Sequence, residues 1–252
     1  MTTFTHTPIN ITLPGKWTTY VNDLQGFVQT LKVHHWSKGL VPFELYDFQK
    51  RYLEHLDSNR FVIASKFRQG GFTTATAMYA LWLCMYRLDQ RIFFMCKYGR
   101  EAIRVSEIVN TAIKNMDIHM RPILSKNNDH QKIFTNTNSR IFFGNWQAAC
   151  GHALTHVIMD EAAFMDNAEQ CWRATFPCIA IGGNAIVLST QNGLGTWFAK
   201  VRQDALEGKN SFSVFQSHYK EHPEYNNEEL VRQLRSNMGE KGWLREMEQM
   251  LI

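Results

Sequence analysis

The chain has 252 residues, 44% of them hydrophobic and 20% charged, with a net charge of +4. That is ample for a buried α/β core, with or without a small appendage, and the mildly basic balance permits nucleic-acid contact without arguing for it. The five cysteines (Cys84, Cys96, Cys150, Cys171, Cys178) are odd in number and form no C-x-x-C pair. They argue against a disulfide framework or a zinc site and for a reducing compartment.

The opening MTTFTHTPIN lacks a basic stretch followed by an apolar one, so no signal peptide is expected. The longest apolar run, Ala77–Tyr86, is far too short to span a membrane. Residues 1–42 are broken by Pro8, Pro14, Gly15, Gly39 and Pro42, with a short helix expected around Val21–Leu31. From Phe43 the pattern alternates. A helix is predicted at Tyr46–Leu56, a strand at Arg60–Ser65, a long apolar helix at Thr73–Leu88 and a strand at Arg91–Lys97. Arg100–Met116 is amphipathic, with Ile103, Ile108, Ala112 and Ile113 spaced for one helix face. Lys132–Thr135 and Ser139–Gly144 read as a hairpin across a Thr-Asn turn. Then follow a strand at Thr155–Asp160, a helix at Ala168–Phe176, a strand at Ala185–Thr190, a helix at Thr196–Leu206 and a strand at Ser211–Ser217. The tail is helical at Asn227–Met238 and Gly242–Leu251. Short apolar strands alternating with helices predict a mostly parallel sheet flanked by helices, with ligands at the carboxyl ends of the strands.

Phe61-Val-Ile-Ala-Ser-Lys-Phe-Arg-Gln-Gly-Gly-Phe-Thr-Thr74 has the strand–loop–helix layout of a phosphate-binding loop. Against G-x-x-x-x-G-K-[ST], Gly71 and Thr73 fit, Phe72 replaces the lysine, and Lys66 stands at the first glycine. A triphosphate needs inward-pointing N–H groups and a cation. Gly70 and Gly71 allow close backbone approach, Thr73 offers a hydroxyl to Mg²⁺ with Thr74 behind it, and Lys66 or Arg68 supplies the cation. The alternative is an ordinary strand–turn–helix with a surface lysine and arginine.

His156-Val-Ile-Met-Asp-Glu161 is an apolar strand ending in two carboxylates. Downstream of a phosphate loop, that ending suits Asp160 as a metal holder and Glu161 as the group that activates water. Ile186-Val-Leu-Ser-Thr-Gln-Asn-Gly193 brings Ser189, Thr190 and Gln191 to the same sheet edge, where hydroxyls can sense the γ-phosphate. A strand running into an Asn-Gly turn explains those residues equally well. Gln49, about twenty residues before the loop, has an amide that both donates and accepts, as adenine readout requires, and Tyr46 or Phe48 could stack on the base.

In this order the motifs resemble the ATPase domain of the large terminase subunit of tailed bacteriophages, from about Phe43 to the end. The family's loop, S-R-Q-x-G-K-T-T, is matched by Phe67-Arg-Gln-Gly-Gly-Phe-Thr-Thr74, and lambda-like members carry the lysine early, as Lys66 does. The acidic strand is matched by Val157-Ile-Met-Asp-Glu-Ala-Ala-Phe164, the coupling motif by Ser189-Thr-Gln-Asn-Gly193 and the adenine-sensing glutamine by Gln49. Pro223-Glu-Tyr-Asn-Asn and Leu234-Arg-Ser-Asn-Met-Gly-Glu in the tail also resemble the family.

The resemblance implies a RecA-like P-loop NTPase that uses ATP and Mg²⁺. It implies Glu161, Arg68 and Lys66 as catalytic. Gln49, Lys66, Arg68, Gln69, Gly70, Gly71, Phe72, Thr73 and Thr74 would bind nucleotide, Thr73 and Asp160 the metal, and Ser189 and Thr190 would couple hydrolysis to movement. The division it implies is 1–42 as part of a small lid, 43–206 as the ATPase core, and 207–252 as the last core strand and a helical lid or linker. The family's nuclease domain is expected to be absent, with no DNA cleavage by this chain. The implied partners are double-stranded DNA, a portal protein, a small terminase subunit and further copies in a ring, in the host cytoplasm and away from membranes. Two departures stand out: Phe72 in the lysine's place, and Cys150-Gly151 where an arginine-glycine pair reaching a neighbouring subunit's ATP is expected. Arg140 and Arg104 are substitute candidates for that arginine. Lys97, Arg100, Arg104, Lys114 and Arg121 are available for DNA phosphates or form a solvated face. The competing readings are a helicase-like translocase fragment and a nucleotide- or DNA-binding module that has lost catalysis, the latter favoured by Phe72.

Overall fold

The computed structural model describes residues 15–252 apart from 36, 150 and 251. Pro8, Pro14 and Cys150, singled out in the sequence, lie outside the described residues. After a 3-10 turn at Gly15–Tyr20 come α1 (Leu24–Gln29), β1 (Lys32–His35), β2 (Gly39–Pro42) and α2 (Asp47–Ser58). Then follow β3 (Phe61–Ser65), α3 (Phe72–Tyr86), β4 (Arg91–Met95) and α4 (Gly99–Asn115). A meander of β5 (Leu124–Asn127), β6 (Gln131–Phe134) and β7 (Ser139–Gly144) leads to β8 (His156–Asp160) and α5 (Ala168–Ile179). The chain closes with β9 (Asn184–Ser189), α6 (Trp197–Leu206), β10 (Ser213–Gln216) and α7 (Glu228–Glu246).

The main sheet has eight strands in the order β10-β3-β9-β8-β4-β7-β6-β5. From β10 to β7 every pairing is parallel, and only the β7–β6 and β6–β5 pairings at one edge are antiparallel. This is the mostly parallel sheet flanked by helices that the sequence predicts. β3 and β8 are buried along their whole length, as strands covered on both faces must be. One core lies under α1 to α4, and a second on the opposite face holds residues of α5 and α6. α3 explains its own position: nearly every residue from Ala75 to Tyr86 is apolar and buried, so it has no solvent face and is enclosed by sheet and helices. The short α1 sends Leu24, Phe27 and Val28 into the first core, with Phe27 edge-on to Tyr86 at 5.4 Å.

Three elements differ from the sequence expectation. Lys32–His35 and Gly39–Pro42 form the antiparallel β1–β2 pair rather than irregular chain. β5 adds a third strand to the expected hairpin. None of their residues is fully buried, so their sequences lack the apolar/polar alternation that betrays a strand. The tail holds the two expected helical stretches, which meet at Gly239, whose φ 70° and ψ 159° are not helical, but the second ends at Glu246 rather than reaching 251.

Candidate nucleotide site

The site lies where β3, β8 and β9 end. Asp160 is the last residue of β8 and Ser65 the last of β3; Ser65 pairs in register with Ser189, the last of β9. The Lys66 N–H donates to the Ser189 carbonyl at 3.0 Å, so the two strands stay joined one step into the loop. The loop from Lys66 to Gly71 then turns into α3. With Glu161 and Thr190 it lines a cavity of about 210 Å³.

The glycines have separate reasons. Gly71 has φ +73°, and a Cβ there would lie 2.6 Å from Gln49 Nε2. At Gly70 a Cβ would meet the Phe72 ring at 2.6 Å and the Phe67 ring at 2.8 Å. Gln49 holds the loop from outside: its Nε2 donates to the Gly70 carbonyl at 3.0 Å, while its Oε1 accepts from the Tyr46 N–H at 3.0 Å. The amide expected to read adenine is therefore engaged with backbone on both sides, keeping one N–H and one lone pair.

Phe72 borders the cavity but offers it no cation where a phosphate lysine would stand. Its ring is buried among Phe48, Tyr52, Phe67 and Phe215, with centroids 5.1–6.2 Å away. The cation at the site is Lys66. Its Nζ is 2.9 Å from Asp160 Oδ1, 3.0 Å from Glu161 Oε1 and 3.1 Å from Thr73 Oγ1. Burial works to depress the Lys66 pKa, yet the charges and hydrogen bonds of Asp160 and Glu161 outweigh it and hold the ammonium above its ordinary value. Thr73 Oγ1 also donates to Asp160 Oδ2 at 2.8 Å. A hydroxyl and a carboxylate around a positive charge are hard oxygen donors of the kind Mg²⁺ takes, so these residues fit that ion.

Glu161 adopts a left-handed backbone (φ 55°, ψ 41°), uncommon for a side chain of its kind. Its carboxylate accepts from Ser189 Oγ at 3.4 Å, and Ser189 Oγ accepts from the Ala163 N–H at 3.1 Å. Thr190 Oγ1 is buried beside the cavity without a protein partner. Gln69, also left-handed (φ 61°), lines the cavity, whereas Thr74 sits one turn into α3 and does not.

Arg68 lines the cavity too, but its guanidinium is turned to Glu246 Oε2 at 2.9 Å, and its N–H donates to the Glu246 carbonyl at 2.9 Å. Glu246 was not foreseen in the sequence, because nothing local marks the end of a charged tail helix as a loop contact. Gln191, expected at this sheet edge, is engaged with protein: its Nε2 donates to Ser65 Oγ at 2.8 Å, bracing the end of β9 against β3 beside the loop. Of the other cations, Arg104 is exposed on α4 and Arg140 half-buried on β7. Lys97 pairs with Asp166, and Lys97 and Arg100 both face the Tyr98 ring.

A glycine loop between a parallel strand and a buried helix, with an acidic strand end on the far side of the neighbouring strand β9, defines a P-loop NTPase fold. The chain belongs to the large terminase family: the family model for the T4-like-virus type terminase large subunit, N-terminal part, matches residues 63–248. Solved structures agree in fold. The HK97 bacteriophage large terminase is 15% identical with a TM-score of 0.73, over 90% of this chain and 54% of that one. The ATPase domain of the Thermus phage P74-26 large terminase is 16% identical with a TM-score of 0.68, over 83% of this chain and 95% of that one. A large terminase from a thermophilic bacteriophage, in complex with ADP, is 13% identical with a TM-score of 0.67, over 83% and 54%. The chain thus spans about half the length of the complete large terminases it resembles.

Proposed function

We propose that this chain is an Mg²⁺-dependent ATPase whose turnover drives double-stranded DNA into a procapsid, working with a portal protein, a small terminase subunit and further copies of itself. The observation that carries this reading is the convergence of Lys66, Thr73, Asp160 and Glu161 within 3.1 Å of one point at the mouth of the glycine loop. The loop N–H groups and Lys66 bind the phosphates. Gln49, Arg68, Gln69, Gly70, Gly71, Phe72 and Thr74 shape and support that cradle. Thr73 and Asp160 would hold the metal, which would supply charge neutralisation at the phosphates. Glu161, whose carboxylate reaches Lys66 at 3.0 Å beside the cavity, accepts the proton of the attacking water. Arg68 stabilises charge on the transferred group once it leaves Glu246. Ser189, joined to Glu161 and to the turn after it, and Thr190 pass the change in phosphate state to α6 and the tail. Residues 1–42 are assigned to part of a small lid, 43–206 to the ATPase core, and 207–252 to the last core strand, β10, and a helical lid or linker.

In a turnover assay with purified protein, Glu161→Gln is expected to lose about 10²–10⁴-fold in kcat while still binding ATP. Wild-type turnover in that variant would remove Glu161 from catalysis. Failure of the parent chain to bind ATP would favour the module that has lost catalysis.

A further inference from the structure

Lys66 stands where a divalent ion would have to stand. The ammonium contacts the Thr73 hydroxyl and both the Asp160 and Glu161 carboxylates, and the residue is only 5% exposed. Mg²⁺ requires oxygen ligands at about 2.0–2.1 Å in a near-octahedral shell. An ion that close to Thr73 Oγ1 and Asp160 Oδ1 would crowd an ammonium already 3.1 and 2.9 Å from the same atoms, with like charges facing each other at close range. The two cations are mutually exclusive in this arrangement. The ammonium also satisfies a need of the protein itself, because a carboxylate as buried as that of Asp160 is costly without a counter-charge.

We infer that Lys66 is a built-in counter-cation that keeps free divalent ions out of the Thr73–Asp160 site, so that metal enters only with a phosphate-bearing ligand that draws the ammonium away. This rests on the nucleotide reading above and adds an order of events to it. Phosphate oxygens seated on the loop N–H groups offer the ammonium new partners a short swing from its present ones. Its departure leaves the Asp160 carboxylate without its counter-charge and the Thr73 hydroxyl open, so phosphate and metal each favour the other's binding.

The test uses Mn²⁺ as the probe, read by its electron paramagnetic resonance signal on the full chain without nucleotide. Wild type is expected to bind no Mn²⁺ at about 0.1 mM, and to bind one ion when a non-hydrolysable ATP analogue is added. Lys66→Met is expected to bind Mn²⁺ without nucleotide at least about tenfold more tightly than wild type, and Lys66→Met with Asp160→Asn to lose that gain. Wild-type binding without nucleotide as tight as that of Lys66→Met, or no gain in Lys66→Met, overturns the inference. Should Lys66→Met not fold, wild type decides alone: nucleotide-free Mn²⁺ binding that Asp160→Asn removes overturns the inference, and binding only with the analogue supports it. Equilibrium dialysis with the analogue tests the nucleotide reading separately, since the metal contrast between wild type and Lys66→Met needs no nucleotide.

Discussion

Phe72 shows what one substitution at a phosphate loop entails. A lysine at that position would have to leave the rings of Phe48, Tyr52, Phe67 and Phe215 or bury its charge among them. Phe72→Lys is therefore expected to lower unfolding stability by about 3 kcal/mol or more, without raising ATP turnover, in paired denaturant titrations and kinetic assays. Equal stability with faster turnover would mean that the site accepts a lysine from either place. Lys132 carries a different tension. It is 1% exposed, its Nζ donating to Asn127 Oδ1 at 2.8 Å. Burial pushes its pKa down to about 8; Asp129 pulls it up and Lys114 adds to the depression. An unfolded lysine titrates near 10.4. Between those values the unfolded chain binds more protons, so this residue's contribution to stability rises with pH, and its full cost is present below about 8. Lys132→Met is expected to gain about 1–2 kcal/mol at pH 7, offset partly by the lost hydrogen bond, with the gain shrinking by pH 9.5 in urea titrations. A gain as large at pH 9.5 as at pH 7 would contradict the assignment.

At the scale of elements, the strands that deliver chemistry were the legible ones. β3, β8 and β9 are nearly pure apolar runs ending in polar residues, so both their existence and their business end could be read directly. β1 (Lys-Val-His-His) and β5 (Leu-Ser-Lys-Asn) carry exposed, polar side chains and could not. Strand order was also hidden: nothing local places β9 between β3 and β8, although that order sets Ser189 against both Ser65 and Glu161. The hold of α7 on the loop, through Glu246, joins residues far apart in sequence and left no local trace. It nevertheless makes a testable link. If Arg68 leaves Glu246 for phosphate, an ATP analogue should raise amide hydrogen exchange over residues 240–247. Glu246→Ala should show that faster exchange before nucleotide is added, and an analogue that left exchange unchanged in wild type would break the link. The pair is half in solvent, so its loss is expected to change stability by less than about 1 kcal/mol.

Across the whole molecule, the phosphate-loop strand depends on the tail. β10 is the sheet's edge beside β3, and Phe215 from it closes the aromatic cluster around Phe72. A chain ending after Leu206 would leave β3 with an unpaired edge and the cluster open. It is expected to be aggregation-prone and to bind no ATP, judged by light scattering and dialysis against the full chain. Among the described residues no helix is long and apolar enough to cross a membrane. The apolar helix in the middle is α3, and its complete burial has a mechanical meaning. A helix with no solvent face has little freedom to bend or slide piecemeal, so it moves as a strut. Its first turn carries the phosphate cradle. At its other end, roughly 22 Å away at 1.5 Å per residue, Trp82 Nε1 donates to the Tyr20 carbonyl at 2.8 Å and Arg87 Nη1 to the Val21 carbonyl at 2.9 Å. A push delivered at the loop is then felt with little loss at residues 20–21, on the far side of the core. A spin label near those residues should report nucleotide addition in the parent chain, and should fall silent when Gly71→Ala locks the loop out of shape.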